Sequence, residues 1–115
     1  PVATLGLDDF SAVVLMSHDL AKDTFQLPRF LATDIPFIGI LGPKVRTEKI
    51  LTELEKQGFP VTAAQKRRIH APVGLDIGAT TPEEIALSIL AEIRAVFSKR
   101  SAQPLRDRDR PIYAE

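Results

Sequence analysis

The stretch IHAPVGLDIGATTPEEIALSILAEI, Ile69 to Ile93, holds a strand-sized piece, a turn and a helix in that order. The helix start is written in Thr81-Pro82-Glu83-Glu84. Thr81 is an N-cap residue, Pro82 has the fixed φ that suits the first helical position, and Glu84 stands where it closes a capping box. Glu83 and Glu84 also lie at the positive end of the helix dipole. Beyond them Ile85, Ile89, Ile93 and Val96 recur at helical spacing, with Leu90 and Phe97 flanking, so one face is predicted to be core. Lys99 and Arg100 close the helix. Upstream, Pro72 keeps Ala71 out of the helical region, which makes Ile69–Val73 extended, a short strand. In the turn, Gly74 and Gly78 permit positive φ or close backbone approach, and Asp76 can bond its own turn. Leu75 and Ile77 are expected to tuck inward between the glycines.

The same pattern repeats toward the N-terminus. Ala12-Val-Val-Leu-Met16 and Phe37-Ile-Gly-Ile-Leu41 are short, continuous apolar runs, as expected of strands buried on both faces of a parallel sheet. A helix is predicted between them over Phe25–Ala32, with Pro28 a break or a first-turn residue. Gly42-Pro43 opens a further helix to Gln57. Ile50, Leu51 and Leu54 share one face of it, Lys49 and Glu53 can pair, and Gly58 is placed as the glycine after the C-cap. Thr62–Arg68 is a shorter helix capped by Thr62, with Lys66-Arg-Arg68 on its solvated side. Strand, helix, strand, helix implies βαβ units: an α/β fold with a partial Rossmann-like parallel sheet of about three strands and flanking helices. Residues 1–100 are taken as the folded part. Residues 101–115, with Arg106-Asp-Arg-Asp-Arg110 and two prolines, are expected to be a polar, flexible tail.

Composition narrows the function classes. Lys+Arg and Asp+Glu both number 15 in 115 residues, so a whole-domain grip on nucleic acid or anionic membrane is not expected. Without cysteine there is no disulfide, thiolate ligand or Cys nucleophile. No apolar run approaches the roughly 20 residues that span a bilayer, and a cytoplasmic protein is expected. The only methionine is Met16, and the start at Pro1 suggests a processed or trimmed chain that is part of something longer.

Ligands of open α/β sheets gather at the carboxyl ends of the strands. Ser17-His18-Asp19 follows the first strand, and Gly42-Pro43-Lys44-Val45-Arg46-Thr47 follows the second. Free N–H groups at a helix start, with Lys44 and Arg46, suit a phosphate. The plainer reading is that Gly42 makes the turn and both basic side chains sit in water. For His18 and Asp19 the corresponding plain reading is a helix cap and a loop hydrogen bond. A metal site from His18, Asp19, His70 and Asp76 lacks any i,i+4 ligand spacing, so no directly bound metal ion is expected. Neither G-x-G-x-x-G nor G-x-S-x-G occurs, which counts against a dinucleotide-binding enzyme and a serine hydrolase.

Ser17-His18-Asp19 after the AVVLM strand, FIGILGPKVRTEKI at 37–50 and, above all, the stretch at 69–93 resemble the XdhC/CoxI family, the accessory factors of xanthine dehydrogenase and related molybdenum hydroxylases. The resemblance covers roughly residues 8 to 98. It implies the second half of a C-terminal Rossmann-like domain, in a protein that binds molybdenum cofactor and delivers it to the apo-enzyme of a molybdenum hydroxylase, and so an accessory factor rather than a catalyst. It implies that His18, Asp19, Gly42, Lys44, Arg46, Gly74 and Asp76 line the cleft for the molybdopterin. It also implies that the first half of the domain lies outside this chain, which is then expected either to stay bound to it or to self-associate through the edge at Ala12–Met16. Two other readings are an NAD(P)- or nucleotide-binding enzyme domain and a protein-docking module without cofactor contact.

Overall fold

The structure, a computed structural model, describes residues 10–112. Three strands, β1 (Ala12–Leu15), β2 (Phe37–Ile40) and β3 (Ile69–His70), form a parallel sheet in the order β1-β2-β3. Ala12 stands opposite Phe37 and Leu15 opposite Ile40, while Ile38 and Gly39 face Ile69 and His70. Helix α1 (Leu20–Leu31) links β1 to β2, α2 (Lys44–Lys56) and α3 (Ala63–Lys66) link β2 to β3, and α4 (Pro82–Ser98) follows. The α/β class and the three-stranded Rossmann-like sheet are as the sequence predicts.

Strand alternation sorts the core into two layers. Leu15, Ile38 and Ile40 pack with Leu27, Leu31, Ile35, Ile50 and Leu54, most of them from α1 and α2. On the other face Phe37 and Val73 pack against Ile89, with Val14, Ile85 and Ile93 around them. Helices therefore cover both faces of the sheet. Val13 and Val14 are half-buried and Leu15 is buried. Among the described residues β1 pairs only with β2, so its outer edge, like that of β3, has no described partner strand. Met16, taken as the last residue of β1, lies beyond it and is half exposed.

Helix α1 begins five residues before Phe25, because the Asp19 carboxylate accepts from the N–H groups of Ala21 (2.9 Å) and Lys22 (3.2 Å). Pro28 sits inside it rather than at a break. A proline in a helix interior costs about 3 kcal/mol. Leu27 and Leu31, on either side of it, are buried at 0% and 6% exposure, each worth about 1.5–3 kcal/mol, so packing offsets the loss. Helix α2 ends as expected: Gly58 has φ 86°, and the Phe59 N–H reaches back to the Leu54 carbonyl at 2.9 Å. Glu53 accepts from the Gln57 side chain (3.2 Å), and among the described residues the Lys49–Glu53 pair does not form. Helix α3 keeps its Thr62 cap but stops at Lys66.

Arg68 is the larger correction, since it does not lie on a solvated side with Lys66 and Arg67. Its guanidinium donates to the carbonyls of Leu31 (2.7 Å), Thr33 (2.8 Å) and Ile35 (2.9 Å). The last carbonyls of a helix lack intrahelical donors, and Arg68 supplies them where α1 turns into β2. Beyond α4, residues Leu105–Asp107 form one 3₁₀ turn, and the Arg100 guanidinium donates to the Ile112 carbonyl at 3.1 Å.

The α4 cap forms as the sequence predicts. Thr81 Oγ1 accepts from the Glu84 N–H (3.2 Å), while Glu84 Oε1 accepts from the N–H groups of Thr80 (2.9 Å) and Thr81 (3.0 Å). Those two backbone donors, with the Thr80 and Thr81 side chains, pull the Glu84 carboxyl down to about 2. Replacing Thr81 with Ala should lower stability by about 1 kcal/mol, read as a shift in the denaturation midpoint. Because the folded pKa of Glu84 is depressed, its contribution is present above the ordinary value of 4.5 and is lost as pH falls toward about 2. Thermal midpoints of the parent should therefore fall across that window more steeply than those of Glu84→Gln. Parallel profiles would show that the cap does not hold the carboxylate.

Candidate functional site

The carboxyl ends of β2 and β3 open into two loops, 41–43 and 71–81, and a cleft of about 450 Å³ lies between them. That volume falls in the range of small-molecule sites, roughly 300–1,000 Å³. Gly42, Gly74 and Asp76 line it, together with Pro43, Leu75 and Ile77. Lys44 is the first residue of α2, exposed, one position past Pro43. Pro43 caps α2 without a side-chain oxygen, so among the described residues no side chain caps the first-turn N–H groups of Lys44 and Val45. One turn further, Thr47 Oγ1 is buried with no hydrogen-bond partner among the described residues.

Arg46 is engaged elsewhere. Its Nη2 donates to Asp23 Oδ2 at 2.8 Å, and Ser17 Oγ donates to Asp23 Oδ1 at the same distance. Asp23 is only 2% exposed. Gly42 makes this reach possible in two ways. Its φ is 114°, and a Cβ there would stand 2.8 Å from Arg46 Cδ, so the stem of Arg46 runs over the glycine. His18 is exposed with φ 62°, and Asp19 is spent as the α1 cap; neither lines the cleft. Sequence reading missed Asp23 although a signal existed. It shares the i, i+4, i+8 stripe of Leu27 and Leu31, and a carboxylate on a buried stripe requires a partner.

The other wall hangs from α4. Glu92 Oε1 accepts from the Gly74 N–H at 2.7 Å, and Oε2 lies 3.3 Å from His70 Nδ1. The His70 ring stacks on Phe37, 4.2 Å between centroids and 6° from parallel. Gly74 has φ 115°, and a Cβ there would meet Ser88 Oγ at 2.5 Å, so the loop lies directly on the helix. The Leu75 N–H then donates to the Ser88 carbonyl (3.1 Å), and the Ile77 N–H to the Leu75 carbonyl (3.0 Å). This tight turn closes through backbone rather than through Asp76, which is exposed. It also overturns the expectation for Ile77, which points to solvent at 51% exposure, while Leu75 is half-buried. The histidines and acidic residues of a conceivable metal site are not brought together, and no group of three or more such ligands exists among the described residues. Among the same residues no helix is long and apolar enough to cross a membrane.

The family model described as the XdhC Rossmann domain matches residues 2–93. The chain is 39% identical over 75 residues to the uncharacterized protein YqeB of Escherichia coli, covering 65% of this chain and 14% of that protein. It is 33% identical over 82 residues to a probable xanthine dehydrogenase subunit from Bacillus subtilis, covering 71% and 22%. To the molybdenum cofactor insertion chaperone PaoD of Escherichia coli it is 32% identical over 95 residues, covering 82% and 29%. The chain thus spans less than a third of the length of these curated relatives. A crystal structure described as a xanthine dehydrogenase from Bacillus halodurans superposes with a TM-score of 0.66 at 31% identity, covering 90% of this chain and 29% of that one.

The Arg46–Asp23 pair makes a definite prediction. Arg46→Ala leaves a buried carboxylate without its cation and should cost about 2–3 kcal/mol in a denaturant titration. Adding Asp23→Asn should return part of that loss, because the uncompensated charge is gone. A single variant as stable as the parent would mean that the pair does not hold α2 against α1.

Proposed function

The chain belongs to the XdhC Rossmann-domain family, and from that premise we propose that it is a molybdenum-cofactor-binding accessory module serving a xanthine dehydrogenase-type molybdenum hydroxylase. The observation that carries the reading is the likeness to a molybdenum cofactor insertion chaperone over 82% of this chain. The name of the Bacillus subtilis relative points to the same class of enzyme. In this reading residues 1–100 are the second half of the Rossmann-like domain and 101–115 its tail. The partners are the apo-hydroxylase and the polypeptide that carries the first half of the domain, or a second copy, in a cytoplasmic setting.

The residues present suit one side of a molybdopterin. The group offers a flat pterin and an anionic phosphate. The shelf at Leu75–Gly78 exposes backbone and an apolar side chain to the cleft, which suits a flat ring. The uncapped N–H groups of Lys44 and Val45 and the Lys44 ammonium suit the phosphate. Gly42 and Gly74 act by letting the two loops sit where they do, and Asp76 offers an acceptor at the rim. Arg46 contributes through Asp23 by fixing the start of α2, and Asp19 by capping α1. When bound, the cofactor supplies the molybdenum chemistry of the recipient enzyme. This chain's part is to hold it and hand it on.

The test is binding of molybdopterin to the intact protein, parent against Lys44→Ala. Removing one charge-assisted hydrogen bond, worth about 1.5 kcal/mol, should weaken binding by roughly 10-fold with the thermal midpoint unchanged. Equal affinity would remove Lys44 from the site. Binding of NAD in preference to molybdopterin would favour the nucleotide-binding reading.

A further inference from the structure

Helix α4 carries an outward stripe that its packing does not use. Leu87 and Leu90 are 61% and 64% exposed, and Glu83 and Arg94 on the same side are exposed. At 3.6 residues per turn these four positions fall within about 60° of one another. They lie opposite the face on which Ile85, Ile89 and Ile93 meet the sheet. Their spacing of four, three and four residues is that of a coiled-coil seam, and Ala86 and Ala91 beside it keep bulk out of the way. No hydrogen bond or ion pair engages the side chain of Glu83 or Arg94 among the described residues.

We propose that this stripe is the contact between two copies of the chain, with their α4 helices antiparallel about a twofold axis between Leu87 and Leu90. A twofold contact must be self-complementary: if one residue meets a second, the second meets the first. The stripe has that property in its charges as well as its apolar residues. The axis that sets Leu87 against Leu90 of the second copy sets Glu83 against Arg94 of the second copy, and both contacts occur twice. The seam is apolar at its centre and oppositely charged at its two ends, which fixes antiparallel over parallel pairing. It runs about 16 Å, so the interface is small and the dimer concentration-dependent rather than obligate.

Sedimentation velocity of the intact protein over a concentration series tests this, with charge reversal as the discriminating step. The parent should shift from monomer to dimer as concentration rises. Glu83→Arg and Arg94→Glu should each stay monomeric to at least roughly 10-fold higher concentration, since each sets like charges opposite one another at both ends. Mixing the two single variants should restore a dimer, as should combining both substitutions in one chain. Thermal midpoints near the parent's would show that the variants are folded. A parent that is monomeric throughout would overturn the proposal, and a Leu90→Asp variant with a lowered midpoint would then show that another part of the same polypeptide covers the stripe. Dimers indifferent to both reversals would also overturn it, and would place the contact elsewhere, the outer edge of β1 included.

Discussion

Asp23 is the residue on which the arrangement of the strand ends depends. A carboxylate at 2% exposure, left without a partner, carries a penalty of several kcal/mol, a large fraction of the stability of a domain this size. Its two oxygens are therefore committed, one to Ser17 after β1 and one to Arg46 on α2. Three separate segments are drawn to one point. Gly42 follows from this, because only a residue without a side chain leaves room for Arg46 to cross the β2–α2 loop at positive φ. The start of α2, with its uncapped N–H groups, is held in place by the same pair.

The opposite side of the sheet uses the same device. Glu92 on α4 takes the Gly74 N–H with one oxygen and faces His70 with the other, and His70 lies flat on Phe37 of the central strand. Gly74 can be there only because a side chain would collide with Ser88. One carboxylate on each face of the sheet thus positions one loop of the cleft. Both anchors are partly or fully buried, whereas Asp76, in the cleft, and Lys44, one residue past its Pro43 wall, are exposed. Rigid support beneath exposed polar groups is the arrangement expected of a binding surface.

What was legible in the sequence was local. The Thr81 and Thr62 caps, the Gly58 terminator and the apolar runs of β1 and β2 act over a few residues, so each could be found without knowing the fold. What was not legible depends on partners distant in sequence. Arg68 looks like part of a basic run until the carbonyls of Leu31, Thr33 and Ile35 are placed beside it. Arg46 looks like a free phosphate ligand until Asp23 is seen beneath it. Pro28 misled because a helix-breaking propensity was outweighed by two buried leucines. Ile77 misled because backbone hydrogen bonds, rather than side-chain burial, set its turn.

On the reading proposed above, a molybdenum cofactor lies against this domain in the cleft between the β2–α2 and β3–α4 loops. Hydrogen–deuterium exchange of the intact protein, with and without molybdopterin, addresses this directly. New protection is predicted at the amides of Lys44 and Val45 and at Asp76–Gly78, with little change along the outer face of α4. Tight binding with protection confined to residues away from these two loops would contradict it.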